Sequence, residues 1–440
     1  MVARPMRKPV CFARSPRADG GWVLLKVRRS VARWVAAVVV ALMAAGSAPA
    51  AVLDAFTFGT HEQIERLNKH LSGQVLDFTN NHGVDRRLYS PALDSKRDLY
   101  VYLPPGYDGC RKFPVMLWLH GLGLDEKNFL YVVPVFDAAI RAGKLPPMVI
   151  ASPDGSINGK PALASGGSFY LNSKAGNFED YIMNDIWPFV TRNFAVRPER
   201  GAHVLAGVSM GGFGTYNLGF KHPDEFGLLG GIMPPLNMRY ADCNGRYFAN
   251  YDPACVSLRN TDRPGEVIGR FYLVVPIRSR HLLDPLVDSK TADPTAFVAR
   301  ENPIEMLSAY DIKPGRFEMF IGYGKRDEFN IDAQVESFVD EAKRRGIRPT
   351  VAVVPDGRHN MDAAVKIFNY MAGWINQRVA PYVPAGYDPT RYPPANTAPA
   401  GVLRRKHLFP LGARLPIVGT QTDESYPVPS PGSGDVIILP

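Results

Sequence analysis

The chain has 440 residues, 46% of them hydrophobic and 21% charged, enough for one large α/β domain with extensions or two smaller domains. Its net charge of +9 is lopsided: residues 1–50 carry nine Lys or Arg against one acid, Asp19, so +8 lies there and +1 in residues 51–440. A nearly neutral body excludes the broad basic surface that a nucleic-acid partner requires.

The basic end has the layout of an export signal. "KVRRSVARW" supplies a positive segment, "VAAVVVALMAAG" an apolar core, and "SAPA" a small-residue cleavage site after Ala50. The apolar run is shorter than the ~20 residues that span a bilayer as a stable helix. The expectation is a cleavable signal, a secreted or periplasmic product, and no stable membrane span in the mature chain. Export favours disulfides, so Cys243 and Cys255 read as a bonded pair closing a short loop, with Cys110 left over. The cysteine spacings fit no zinc pattern, and no metal or organic cofactor is expected.

Beyond the leader, "HEQIERLNKHL" places Ile64, Leu67 and Leu71 on one face of a short helix. "RDLYVYLP" and "FPVMLWLH" read as strands separated by the turn-rich "PGYDGCRK". A helix over 132–142 precedes the strand "MVIAS", and a second helix covers "FEDYIMNDIWPFVTRNF". Next come the strand "AHVLAGV", the helix "GFGTYNLGFKH" stopped by Pro223, and the strands "GLLGGIM", "FEMFIGYG" and "TVAVVP". Helices over 333–345 and 361–377 follow the last two strands. Alternation of this kind predicts an α/β fold with a mostly parallel sheet covered on both faces.

Two regions break the alternation. Residues 237–297 are polar and turn-rich, and read equally as a lid over the site or as peripheral decoration. Residues 380–440 are Pro-rich without periodicity, an extended or wrapping tail. The expected division is therefore a leader at 1–50, a catalytic domain at 51–379 and a C-terminal extension at 380–440.

The chemistry centres on "GVSMGG" at 207–212. A G-x-S-x-G pattern alone does not make Ser209 a nucleophile, but its place between a strand and a helix does point there. A serine hydroxyl needs a histidine to take its proton, and the imidazole needs a carboxylate to hold its tautomer. Asp327 follows the strand "FEMFIGYG" and His359 follows "TVAVVP", so all three candidates stand at strand ends, where a parallel sheet places its chemistry. Glu328, Asp332 and Asp356 are alternatives for the acid. His120, His203, His222 and His281 are less suited to be the base by order or position. The backbone N–H of Met210 is the expected first oxyanion donor, and "LHGLG" at 119–123 is placed to give the second.

The runs "DLYVYLPPGYD…FPVMLWLHGLG", "GNFEDYIMNDIWPFV", "GVSMGGFGTYNLGFKHPDEFG", "GYGKRDEF" and "PDGRH" resemble, in order, the esterase D family of α/β-hydrolases. That family includes feruloyl and carbohydrate esterases, S-formylglutathione hydrolases and secreted mycolyltransferases. The resemblance implies an α/β-hydrolase fold, a triad of Ser209, Asp327 and His359, and Leu122 as the second oxyanion donor. The expected activity is hydrolysis of small-molecule or polysaccharide-linked esters through an acyl-enzyme. The alternatives are acyl transfer to a sugar hydroxyl by the same triad, and an inactive binding module on an esterase scaffold. The cysteine-bearing stretch and the Pro-rich tail depart from the family pattern.

Overall fold

In a computed structural model, residues 61–81, 83–161, 166–271, 275–290, 292–394 and 437–439 are described. The leader and most of the tail lie outside these residues. The apolar runs form α1 (His61–His70), β1 (Gln74–Phe78), β2 (Leu99–Leu103), β3 (Val115–Leu119), α2 (Asn128–Arg141) and β4 (Val149–Pro153). After them come α3 (Trp187–Asn193), β5 (His203–Val208), α4 (Met210–Lys221), β6 (Leu228–Ile232) and β7 (Glu318–Gly324). The series closes with α5 (Ile331–Arg344), β8 (Thr350–Val354), α6 (Met361–Val379) and β9 (Ile437–Leu439).

The nine strands make one sheet in the order β1-β2-β4-β3-β5-β6-β7-β8-β9. From β4 to β8 every pairing is parallel, while β1, β2 and β9 run antiparallel to their neighbours. Continuous apolar runs suit these inner strands because both faces are covered. Two successive glycines of β6 show the covering. A Cβ on Gly230 would lie 2.8 Å from Met371 of α6, and one on Gly231 would lie 2.8 Å from Tyr216 of α4. Successive residues of a strand point to opposite faces, so α6 and α4 sit on opposite sides of the sheet.

Register aligns the carboxyl ends of the central strands. Leu119 of β3 pairs with Gly207 of β5, Val208 with Ile232 of β6, Ile232 with Gly322 of β7, and Gly324 with Val354 of β8. The loops leaving β3, β5, β7 and β8 therefore open on one edge of the sheet.

Some elements depart from the sequence pattern. The α2 helix starts at Asn128, before the expected 132, because the Asp125 carboxylate accepts the Lys127 N–H (3.1 Å) and its carbonyl accepts the Asn128 N–H (3.2 Å). Apolar periodicity carries no record of such a polar turn. The helix before β5 is also not uniform: Phe178–Asp180 leads into a π-helical Tyr181–Ile186 before α3. Pro188 has no N–H to return to the Asn184 carbonyl, which favours the wider turn.

Between β6 and β7 the polar stretch folds into two antiparallel hairpins, Tyr240–Asp242 with Val256–Leu258 and Val267–Phe271 with Val275–Arg278. Cys243 and Cys255 are disulfide-bonded across the first, the pair expected to bond, and Cys110 is free and exposed. The helices Pro294–Glu301 and Pro303–Ala309 return the chain to the sheet. Past α6, Tyr387 docks on the turn after β2, donating its hydroxyl to the Pro105 carbonyl at 2.8 Å with its ring 5.5 Å from Phe113. Among the described residues no helix is long and apolar enough to cross a membrane.

Candidate active site

Gly207 and Gly211 make the turn at Ser209 sterically possible. A Cβ on Gly207 would lie 2.5 Å from the Gly211 backbone, and one on Gly211 would lie 2.0 Å from the Leu119 carbonyl oxygen. Strand β5, helix α4 and the end of β3 thus meet backbone to backbone, which only glycine allows. Ser209 itself sits at φ 54°, ψ −117°, a strained conformation for a residue with a side chain. Its N–H donates to the Ile232 carbonyl (2.8 Å), and its own carbonyl accepts from Phe213 (2.9 Å). These bonds hold the turn, and the hydroxyl stands half-buried at the edge where the strands end.

The loops after β7 and β8 bring the other two candidates to it. His359 Nε2 lies 2.9 Å from Ser209 Oγ, and His359 Nδ1 lies 2.7 Å from Asp327 Oδ2. The Asp327 side chain is fully buried and that of His359 is 11% exposed. The second Asp327 oxygen accepts the Phe329 N–H at 2.8 Å, which fixes the plane of the carboxylate. With a carboxylate oxygen of Asp327 on Nδ1, that nitrogen carries the proton and Nε2 is left to accept from serine.

Burial works against a charged His359, but the charge and hydrogen bond of Asp327, helped by Glu328, outweigh it, and the imidazole pKa is raised. Glu328 accepts the His359 N–H (2.8 Å) and an Arg358 N–H (2.9 Å). Burial alone would raise the Glu328 carboxyl; these two donors hold it below its ordinary value. Glu328 thus holds the His359 backbone and does not face the ring nitrogens. Asp356 is an exposed partner of Arg326, and Asp332 opens α5 with its carboxyl pushed up to about 6 by burial. Of the four acids weighed, Asp327 is the one on the imidazole.

The rival histidines are all engaged elsewhere. His120 is buried, accepting the Gly155 N–H on Nε2 (2.9 Å) and donating Nδ1–H to the Gly121 carbonyl (2.9 Å), and burial lowers its pKa. His203 contacts the carbonyls of Glu225 and Arg197, His222 contacts Glu179, and His281 accepts the Arg278 N–H.

The side chains of Leu122 and Met210 meet at Gly167. A Cβ on Gly167 would lie 2.3 Å from Met210 Sδ and 2.6 Å from Leu122 Cδ1, and one on Gly121 would lie 3.6 Å from Ser209 Cβ. Met210 is the first residue of α4, so its N–H has no acceptor within the helix. The loop carrying Leu122 is held from behind by His120 and by Tyr170, whose hydroxyl donates to the His120 carbonyl at 3.1 Å. Sequence reasoning missed Tyr170, Glu328's backbone role and the Phe329 ring, 4.8 Å from the imidazole. The sequence "RDEF" did place Glu328 and Phe329 beside the acid, but nothing in it ranks them.

This arrangement can ionise a serine hydroxyl by transfer of its proton to a carboxylate-supported imidazole, beside backbone donors. Among the described residues no cluster of His, Cys, Asp or Glu could hold a metal ion.

Residues 90–330 match the model of a protein family described as "Putative esterase". Among solved structures, a ferulic acid esterase shares 19% identity over 70% of this chain and 99% of its own, with a TM-score of 0.51, a likeness of fold. An S-formylglutathione hydrolase from Agrobacterium tumefaciens shares 17% identity over 70% and 96%, with a TM-score of 0.47. A ferulic acid esterase from Anaeromyces mucronatus shares 18% over 70% and 90%, with a TM-score of 0.44.

Proposed function

We propose a mechanism from one premise: this chain belongs to that esterase family, has the α/β-hydrolase fold, and is a carboxylic-ester hydrolase. In the mechanism Ser209 Oγ attacks the ester carbonyl while His359 Nε2 takes its proton. Asp327 keeps the proton on Nδ1 and stabilises the imidazolium. The Met210 and Leu122 amides receive the negative charge that develops on the carbonyl oxygen. His359 then protonates the leaving alcohol, and water, activated by the same imidazole, releases the acid from the acyl-serine. The observation that carries this reading is the unbroken contact from Ser209 through His359 to the buried Asp327.

The substrate we propose is an exported enzyme's substrate: an acyl or feruloyl ester on polysaccharide. The leader's basic segment, apolar core and small-residue site support export. Ser209→Ala should lower p-nitrophenyl ester hydrolysis by at least ~10⁴-fold. Unchanged turnover would remove Ser209 from the mechanism. Strong S-formylglutathione turnover without oxygen-ester activity would instead overturn the substrate class.

A further inference from the structure

The stretch between β6 and β7 meets the site through Tyr247. This residue lies inside the loop closed by the Cys243–Cys255 bond, and the Asp242 carboxylate tightens that loop by accepting the N–H groups of Asn244 (2.9 Å) and Arg246 (2.8 Å). Tyr247 is buried, and the Arg259 guanidinium lies 5.0 Å over its ring. Its hydroxyl donates to the Phe329 carbonyl at 2.6 Å and accepts from Gln334 Nε2 at 2.9 Å. Its own carbonyl accepts from the Asn330 side chain at 2.7 Å.

Two of these bonds, to Phe329 and Asn330, fall on residues two and three positions beyond Asp327. Phe329 is the residue whose N–H fixes the Asp327 carboxylate, and its ring packs on His359. Asn330 is held at φ 55°, a left-handed conformation the loop must keep to turn into α5. From the second hairpin, Gly269 lies so close to the Phe329 ring that a Cβ there would come within 2.0 Å of it. Both hairpins therefore bear on one short loop.

The geometry points to Tyr247 as a positioning residue for the Asp327–His359 pair, with the two hairpins acting as a brace on the acid loop, the first of them closed by the Cys243–Cys255 bond. This rests on the reading of Asp327 as the triad acid. The brace holds Phe329 and Asn330, the Phe329 N–H holds the carboxylate plane, and the carboxylate holds the imidazole toward Ser209. A lid would act on substrate entry and so on KM. A brace acts on chemistry and on the imidazole's titration.

The test compares Tyr247→Phe with wild type as the full chain, measuring kcat and KM for p-nitrophenyl acetate from acid to neutral pH, with thermal midpoints alongside. Removing the hydroxyl should lower kcat about three- to ten-fold with KM within about two-fold. The acid limb of kcat should move to lower pH, because a looser Asp327 supports the imidazolium less, while Glu328 and Arg358 are unaltered. A Cys243→Ser, Cys255→Ser double variant should change kcat and the limb in the same directions. A Tyr247→Phe protein with wild-type kcat and an unmoved limb, or one altered in KM alone, would overturn the proposal. Ser209→Ala and Asp327→Asn, assayed in parallel, separate the two readings. If both abolish turnover while Tyr247→Phe is silent, only the brace fails; if both stay active, the triad itself is wrong.

Discussion

The two sides of Ser209 are held by different means. On the oxyanion side, backbone packs directly on backbone: Gly207 and Gly211 touch each other and the end of β3, and Gly121 lies against Ser209 Cβ. On the acid side, the loop after β7 is held by one hydrogen bond donated by Tyr247 and one accepted by it, and by the fit of Gly269 against Phe329. The first arrangement has no slack, because a carbonyl oxygen cannot yield to a new methyl group. The second depends on hydrogen bonds and side-chain packing shared with a segment outside the alternating strands and helices, and can be loosened one contact at a time. A hydrolase built in this way can vary its acid side without touching its nucleophile.

Activity should fall furthest where either side loses its key group. Asp327→Asn keeps the shape but puts a donor where Nδ1–H needs an acceptor, favouring the wrong tautomer. We expect kcat to fall by about 10⁴-fold with little change in thermal midpoint, measured on a p-nitrophenyl ester. On the other side, Gly211→Ala places a Cβ 2.0 Å from the Leu119 carbonyl oxygen. That overlap is with backbone, so the elbow must move, at a cost of about 3 kcal/mol in denaturant unfolding together with loss of activity. If Gly211→Ala folded and turned over like wild type, the rigid description of this side would fail.

A milder change sharpens the contrast. Tyr170→Phe removes the hydroxyl that donates to the His120 carbonyl behind the Leu122 loop. This should lower kcat about three-fold by loosening the proposed oxyanion donor Leu122. No group facing His359 is altered, so the acid limb of the pH profile should stay in place, unlike the limb of Tyr247→Phe. Coincident shifts in the two variants would show that both sides act through one common loosening.

Much of this was legible before folding. Each proposed triad residue stands just beyond an apolar run, and a parallel sheet brings such positions to one edge, so Ser209, Asp327 and His359 could be named as candidates from order and context. The family pattern supplied Leu122 as a candidate, and the export reading suggested the Cys243–Cys255 bond, which the fold contains. Tyr247 was not legible: it lies in a polar, turn-rich stretch with no periodicity, and its partners Phe329 and Gln334 are far away in the chain. Only the path of the two hairpins joins them. The same limit hid Tyr170, whose role depends on a hydroxyl reaching the His120 carbonyl across 50 positions. Strand-end chemistry is written in local pattern, whereas the supports behind it are written in tertiary contact.

The smallest expected effect tests how far the acid side extends. Glu328 contributes to the raised His359 pKa by its charge, after Asp327, and its carboxylate also pairs with Arg358. Glu328→Gln removes that negative charge and leaves Arg358 uncompensated, and both changes disfavour the imidazolium. A base is active when neutral, so the rate falls as pH drops through its pKa; a lower pKa therefore moves the acid limb of kcat to lower pH. The amide oxygen of Gln can still accept the His359 N–H, so the plateau should fall by no more than about two-fold. A limb that moves as far as in Tyr247→Phe would mean that charge near the ring matters as much as the placement of Asp327. An unmoved limb would confine the electrostatic support of His359 to Asp327 alone, and the acid side would then be a matter of one carboxylate and the contacts that hold it.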